Sequence, residues 1–327
     1  MKITKEILSL CFKLLLGLGC MALLYLRLRT DFGPEQRELL SGFSFGKSAL
    51  FYGIFILALI PINWALESRK WQIITEPVEA ISFAGATRSV YSGLCLGNFA
   101  PGRATEFLGK ILYFSDENKS RVTLLHFIGG MIQLSITLAL GLWALIHKAG
   151  ELPDDLSWLV KALPVLSILL FLLFSLAILR VNSLMNYISK LVARRKNLVP
   201  HHYNYPASLW LKLFMYSILR YLVFSVQFLL VLMCFAPDIS LKGILPGIAL
   251  YFMLSSVLPM IPVLEAAMRA ALAVLVLGQS GLSVIVLSLA ALLIWIMNIV
   301  IPSLIGYLIL LRMQFDFKLF FRKKHGT

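Results

Sequence analysis

No charged residue occurs between Ala270 and Leu311, a run of 42 residues. As one α-helix it would extend about 63 Å at 1.5 Å per residue, twice the ~30 Å hydrocarbon thickness of a bilayer. The run must therefore break, and Gly278-Gln279-Ser280-Gly281 supplies the turn residues. Residues 282–311 are then a single crossing. The whole chain has the same character: 59% of its 327 residues are hydrophobic and 14% charged, with a mean hydropathy of +0.86. A soluble domain needs about a quarter of its residues charged. A cytosolic enzyme, a disordered regulator and a secreted disulfide scaffold are excluded, and a polytopic, all-α membrane helix bundle remains.

Charges divide the rest of the chain. Apolar runs cover 7–26, 48–66, 122–146, 162–179 and 210–235. Each is long enough to span at about 20 residues per crossing. The first resembles a signal peptide, but Lys13 splits it and no small-x-small cleavage site follows, so it is expected to be a retained helix. Sidedness follows from the basic residues. The 180–212 loop carries Arg180, Lys190, Arg194, Arg195, Lys196 and Lys212 with no acid, and the 312–327 tail is also basic. Both are expected on the cytoplasmic side. Glu151, Asp154 and Asp155 mark an outer loop, and Asp238 another.

Parity then restricts two irregular segments. The fifth run ends outside and the last must start outside, so 243–277 leaves one face and returns to it. By the same logic 78–113 leaves and returns to the cytoplasmic face. Two arms of roughly 15 residues fit each segment, too short for a ~30 Å crossing. The expected architecture is six full crossings and two re-entrant helical hairpins inserted from opposite sides, with both termini cytoplasmic. Oppositely inserted broken helices are the mark of inverted repeats in transporters, whose site lies where they meet.

The net charge is +14, from 30 basic and 16 acidic residues. Loops and headgroup contacts account for it, and no basic-aromatic domain outside the apolar runs suggests nucleic acid. Cys11, Cys20, Cys95 and Cys234 lie in apolar stretches without metal-ligand spacing. His126, His147, His201 and His202 show no paired motif, so neither a metal nor another cofactor is expected. No nucleotide-binding or hydrolase motif occurs.

The candidate site lies in the hairpins, where ionisable residues at membrane depth are costly and usually functional. The first contains Asn98-Phe-Ala-Pro-Gly-Arg-Ala-Thr-Glu-Phe-Leu-Gly-Lys110. A helix starting at Pro101-Gly102 would place Arg103, Glu106 and Lys110 on one face, with Arg103 offering a planar fork to a phosphate or carboxylate. The second contains Pro259-Met-Ile-Pro-Val-Leu-Glu265 and then Arg269, an acid and a base at i and i+4. The competing reading is that Glu106 neutralises Arg103 or Lys110, and Glu265 neutralises Arg269. Arg88 is a weaker candidate for the same headgroup site. Asn98, Glu67 and Lys70 are secondary, because Glu67, Arg69 and Lys70 also fit an interfacial anchor with Trp64 and Trp71 in the aromatic belt. Arg220 is expected to snorkel.

Asn63-Trp…Glu67…Lys70-Trp71, Pro101-Gly-Arg-Ala-Thr-Glu106 and Pro259…Glu265 together resemble the lysylphosphatidylglycerol synthase transmembrane region family of bacterial and archaeal membrane proteins. The resemblance covers about 7–311, and its most specific piece is Pro-Gly-Arg-x-x-Glu. Thr105 stands where a small residue is usual, and Met-Ile-Pro-Val-Leu replaces a glycine-rich turn before Glu265. The resemblance implies a lipid-handling core of a bacterial cytoplasmic membrane, not an aminoacyl transferase. The expected function is a lipid flippase that moves a phospholipid or lipid-phosphate headgroup through a polar cleft. A membrane-embedded lipid-carrier transferase and a non-catalytic partner of a lipid-modifying enzyme are the alternatives. Oligomeric state is left open.

Overall fold

A computed structural model describes residues 47–98, 103–147, 180–196, 204–258 and 264–313, with isolated positions between 169 and 202. Among these residues the chain is helical without strands. Helices α1 (Lys47–Thr75), α4 (Lys119–His147) and α6 (Ala207–Phe235) are long and apolar enough to cross a membrane. So is the composite 284–312, made of α9 (Val284–Trp295), a π-helical turn (Ile296–Val300) and α10 (Ile301–Arg312). These four correspond to the expected crossings at 48–66, 122–146, 210–235 and 282–311. The expected crossings at 7–26 and 162–179 lie outside the described residues, apart from Leu169. So does the basic tail beyond Met313.

The outer faces match a lipid solvent. Leu50, Phe51, Ile54, Phe55 and Leu57 of α1 are exposed, as are Leu304, Leu308 and Leu311 of α10. A soluble protein rarely leaves such continuous apolar strips uncovered. The chain is an integral membrane helix bundle.

Two shorter helix pairs fill the bundle. The first joins α2 (Phe83–Gly97) to α3 (Glu106–Ile111). The second joins α7 (Leu241–Val257) to α8 (Glu265–Leu277). At 1.5 Å per residue, no arm reaches the roughly 30 Å of a full crossing. The expected break in the long apolar run is present: a 3-10 turn covers Gly278–Ser280, and Gly281 adopts φ +78°, the left-handed conformation glycine permits. Ser283 then caps α9 by accepting from the Val286 N–H at 3.3 Å. Ser82 caps α2 in the same way through Gly85, at 3.1 Å.

The basic stretch after residue 180 differs from the expected loop. It forms helix α5 (Val181–Lys196), tied to the next segment by Asn182, whose side chain donates to the Tyr205 carbonyl and accepts from the Tyr205 N–H.

Each pair packs on one half of the last composite helix. The α2–α3 pair lies against α10 and α1, and the α7–α8 pair against α9 and α4. Gly306 of α10 shows how close the first contact is, since a Cβ there would collide with the Tyr91 carbonyl. The π turn sits where α9 gives way to α10. Pro302 explains it: a proline has no N–H to bond the carbonyl four residues back. The ladder slips, and Ile301 donates to Ile296 instead. Two apolar cores follow the same division. One gathers Phe228, Tyr251, Ile248, Met268, Leu272 and Leu287. The other gathers Trp64, Trp71, Val90, Leu94, Leu125 and Leu213.

Candidate functional site: a buried charge cluster

Helix α1 extends nine residues beyond the apolar run read from the sequence, and this carries Asn63, Glu67 and Lys70 inside it. Spacings of four and three put them on one face. All three side chains are buried, and so are Trp64 and Trp71. The expectation of an exposed interfacial anchor is therefore corrected. The indoles are core residues, and Glu67 is the centre of an ion cluster.

Glu67 holds three cations. Lys70 lies 2.8 Å from Oε2 and Arg220 Nη1 also 2.8 Å from Oε2, while Lys110 lies 3.2 Å from Oε1. Lys110 also pairs with Glu106 at 2.9 Å. Arg220 donates through Nε to Asn63 Oδ1 at 3.1 Å. It does not snorkel: its guanidinium lies 5.3 Å from the centroid of Trp64 and 5.4 Å from that of Phe224. Lys110 lies 5.0 Å over Trp71 in the same way. The indole of Trp71 donates to Ser89 Oγ at 2.9 Å, and Ser89 donates to the Lys110 carbonyl at 2.9 Å. These contacts fix α3 against α1 and aim its lysine. Buried charges persist in apolar surroundings only when paired and hydrogen-bonded in this manner.

The α2–α3 contact depends on glycine. A Cβ on Gly109 would strike the backbone of Ser92 and Gly93. Without that approach the Lys110 ammonium would not reach Glu67.

A ladder of neutral amides continues the polar stripe. Asn63 donates to Asn298 Oδ1 at 3.3 Å, and Asn298 donates to Gln227 Oε1 at 2.7 Å. Gln227 donates to the Ile56 carbonyl at 3.0 Å. Asn298 lies in the π turn, between the two helix pairs. From Ile56 to Lys70 the stripe follows α1 for about 21 Å, at 1.5 Å per residue.

Arg103 departs from the expected position. The helix begins at Glu106 rather than at Pro101-Gly102, and has six residues. Arg103 precedes it with φ +56°, a left-handed conformation unusual for a side chain bearing a Cβ. Arg103, Glu106 and Lys110 therefore do not share a helix face, although Glu106 and Lys110 do. Arg103 lies within electrostatic reach of Glu106, Glu265, Arg269 and Arg220. Glu265 and Arg269 pair at 2.8 Å on α8. The competing pairing anticipated for the acids is thus present, with Lys110 and not Arg103 as the partner of Glu106.

Asn98 anchors the end of α2, donating to Ser303 Oγ of α10 at 2.6 Å. Arg88 is not brought to the cluster; it is exposed on α2. Residues 99–102 and 259–263, between the helices of each pair in the sequence, lie outside the described residues. Arg220, Gln227 and Asn298 are the residues that sequence reasoning missed as site members. Their signal is a polar side chain inside an otherwise apolar spanning run, with Arg220 and Gln227 seven apart on one face of α6. Among the described residues no group of three histidine, cysteine or carboxylate side chains is placed to hold a metal.

No family model matches the sequence, and no curated protein matches it.

Proposed function

We propose that the chain is an integral membrane lipid transporter, moving a phospholipid or lipid-phosphate headgroup through a polar cleft between two re-entrant hairpins while the acyl or prenyl tails stay in the bilayer. The observation that carries this reading is Arg103: a cation just before α3, within electrostatic reach of charges on both helix pairs. Charged groups at membrane depth face a cavity or one another, and mark the path of a polar substrate. In this reading the pairs 78–113 and 243–277 enter from opposite faces, six helices cross, and both termini are cytoplasmic. The likeness to the lysylphosphatidylglycerol synthase transmembrane region family belongs to the same proposal.

The cluster performs three tasks in this scheme. Arg103 receives the phosphate. Glu106 and Glu265 hold neighbouring cations in place when the headgroup leaves. The amides of Asn63, Gln227 and Asn298 offer hydrogen bonds along the stripe without adding charge. Fluorescent-lipid scrambling in proteoliposomes is the test. The Arg103→Ala, Glu106→Ala double variant is expected to lose activity while retaining a monodisperse fold. Equal rates for it and the wild type would overturn the proposal.

A further inference from the structure

Among the described residues, the charges around Arg103 do not balance. Lys70, Lys110, Arg103, Arg220 and Arg269 supply five cations, and Glu67, Glu106 and Glu265 supply three anions. The excess is two positive charges. An uncompensated charge is expensive in an apolar interior, and two are more so.

A second, independent observation locates the excess. Glu67 serves Lys70, Lys110 and Arg220; Glu106 serves Lys110; Glu265 serves Arg269. Among the described residues, no hydrogen bond or ion pair engages the Arg103 guanidinium. Arg269, by contrast, has Glu265 at 2.8 Å and the wholly buried Tyr251 hydroxyl beside it. A planar guanidinium fork without a partner among the described residues suits an acceptor-only, multiply charged group.

We infer that the ligand presents two negative charges at this point: a phosphate monoester or a diphosphate, rather than the monoanionic diester of an ordinary phospholipid or a zwitterionic headgroup. The inference takes the site from the lipid-transport reading and adds the charge of its cargo. A diester would leave one cation unbalanced, and a zwitterion would leave both.

The test is competition against a fluorescent phosphatidic acid on the full chain in neutral detergent, at about pH 8, where a phosphomonoester with a second pKa near 6 is dianionic. Competitors are dioleoyl phosphatidic acid, phosphatidylglycerol, phosphatidylcholine and soluble sodium diphosphate. Phosphatidic acid is expected to bind at least about tenfold more tightly than the other two lipids, the difference made by one added charge-assisted hydrogen bond. Arg103→Gln, which removes a cation, narrows the preference over phosphatidylglycerol. Glu265→Gln, which removes an anion, widens it; a merely structural role would move both variants the same way. Equal binding of the three lipids, binding of none, or shifts of one sign in both variants would overturn the inference. Diphosphate binding as tightly as phosphatidic acid would support a dianion site with a soluble ligand, and would count against the lipid reading alone. Scrambling without phosphatidic acid selectivity would sink the charge inference and leave transport standing.

Discussion

The two helix pairs hold their charges in different ways. In the first, Lys110 reaches out of its own pair to Glu67 on α1, and Glu67 in turn holds Arg220 of α6. Three elements distant in sequence are fastened by one carboxylate. In the second pair, Glu265 satisfies Arg269 one turn along the same helix. The first pair is thus built into the bundle by its charges, whereas the second is held by apolar packing of Met268, Leu272 and Leu277. An ion pair closed within one helix leaves that helix free to shift without breaking it; one spread over three helices does not. Under the transport proposal, this asymmetry would make the first pair the fixed frame and the second the element that moves.

Charge removal probes this difference with the largest effect. Glu67→Gln leaves three cations around a neutral amide, and breaking a buried ionic cluster costs about 3–5 kcal/mol. Glu265→Gln strands one cation, Arg269, of a largely buried pair, where Glu67→Gln strands three. Thermal unfolding in detergent, followed by size-exclusion chromatography, is expected to show a larger loss for the first than for the second. Equal losses would erase the distinction between frame and mobile element.

Glycine substitutions sharpen the same contrast at lower amplitude. Gly109→Ala sets a methyl group against the α2 backbone, which cannot step aside, and overpacking of this kind costs about 1–3 kcal/mol. Gly247→Ala of α7 meets the end of the Leu277 side chain, which can change rotamer for about 0.5–1.5 kcal/mol. The expected order of melting temperatures is wild type, Gly247→Ala, Gly109→Ala. Reversal would mean that the second pair is the more rigidly seated.

Asn298 stands between the two pairs, so it tests whether they are joined by polar contacts. Asn298→Leu strands the Gln227 carbonyl oxygen and the Asn63 amide, at about 1–3 kcal/mol. Adding Gln227→Leu removes one stranded partner and is expected to recover part of the loss. Strict additivity in that double-mutant cycle would show that the amide ladder is not a unit.

The sequence made the bundle legible where hydropathy alone decides. The apolar runs among the described residues became helices, and the break at Gly278–Gly281 is where a 42-residue run had to turn. The two pairs of short helices were legible as arms too short to cross. The fastening was not. Arg220 and Glu67 lie 153 positions apart, so nothing local tells a snorkelling arginine from one inside a cluster. Glu67 and Lys70 read as an anchor because the apolar run seemed to end at residue 66, whereas α1 continues to Thr75 with the partners that its charges need. Arg103 was misplaced for a conformational reason. Pro101-Gly102 is a plausible helix start, but the left-handed backbone at Arg103 delays the helix to Glu106.

The smallest expected effect concerns the base of the first pair, outside the spanning helices. Glu79, in the segment entering it, accepts from the Ser115 N–H at 3.1 Å, the Ser115 hydroxyl at 2.7 Å and the Asn118 amide at 2.9 Å, in the segment leaving it. Burial would raise its pKa, but the hydrogen bonds from Asn118 and Ser115 outweigh it and hold the carboxyl below its ordinary range. A carboxylate depressed in the folded state contributes stability above its unfolded pKa and loses it as pH falls through the folded value. The latch is therefore intact at neutral pH and fails only in acid. Glu79→Gln is expected to lower stability by about 0.5–1.5 kcal/mol at pH 7, the value of one net hydrogen bond, and to abolish the acid-dependent part of the loss. A stability–pH profile unchanged by the substitution would mean that the first pair is closed by its helices alone, and that the charges gathered at Glu67 carry the whole of its attachment.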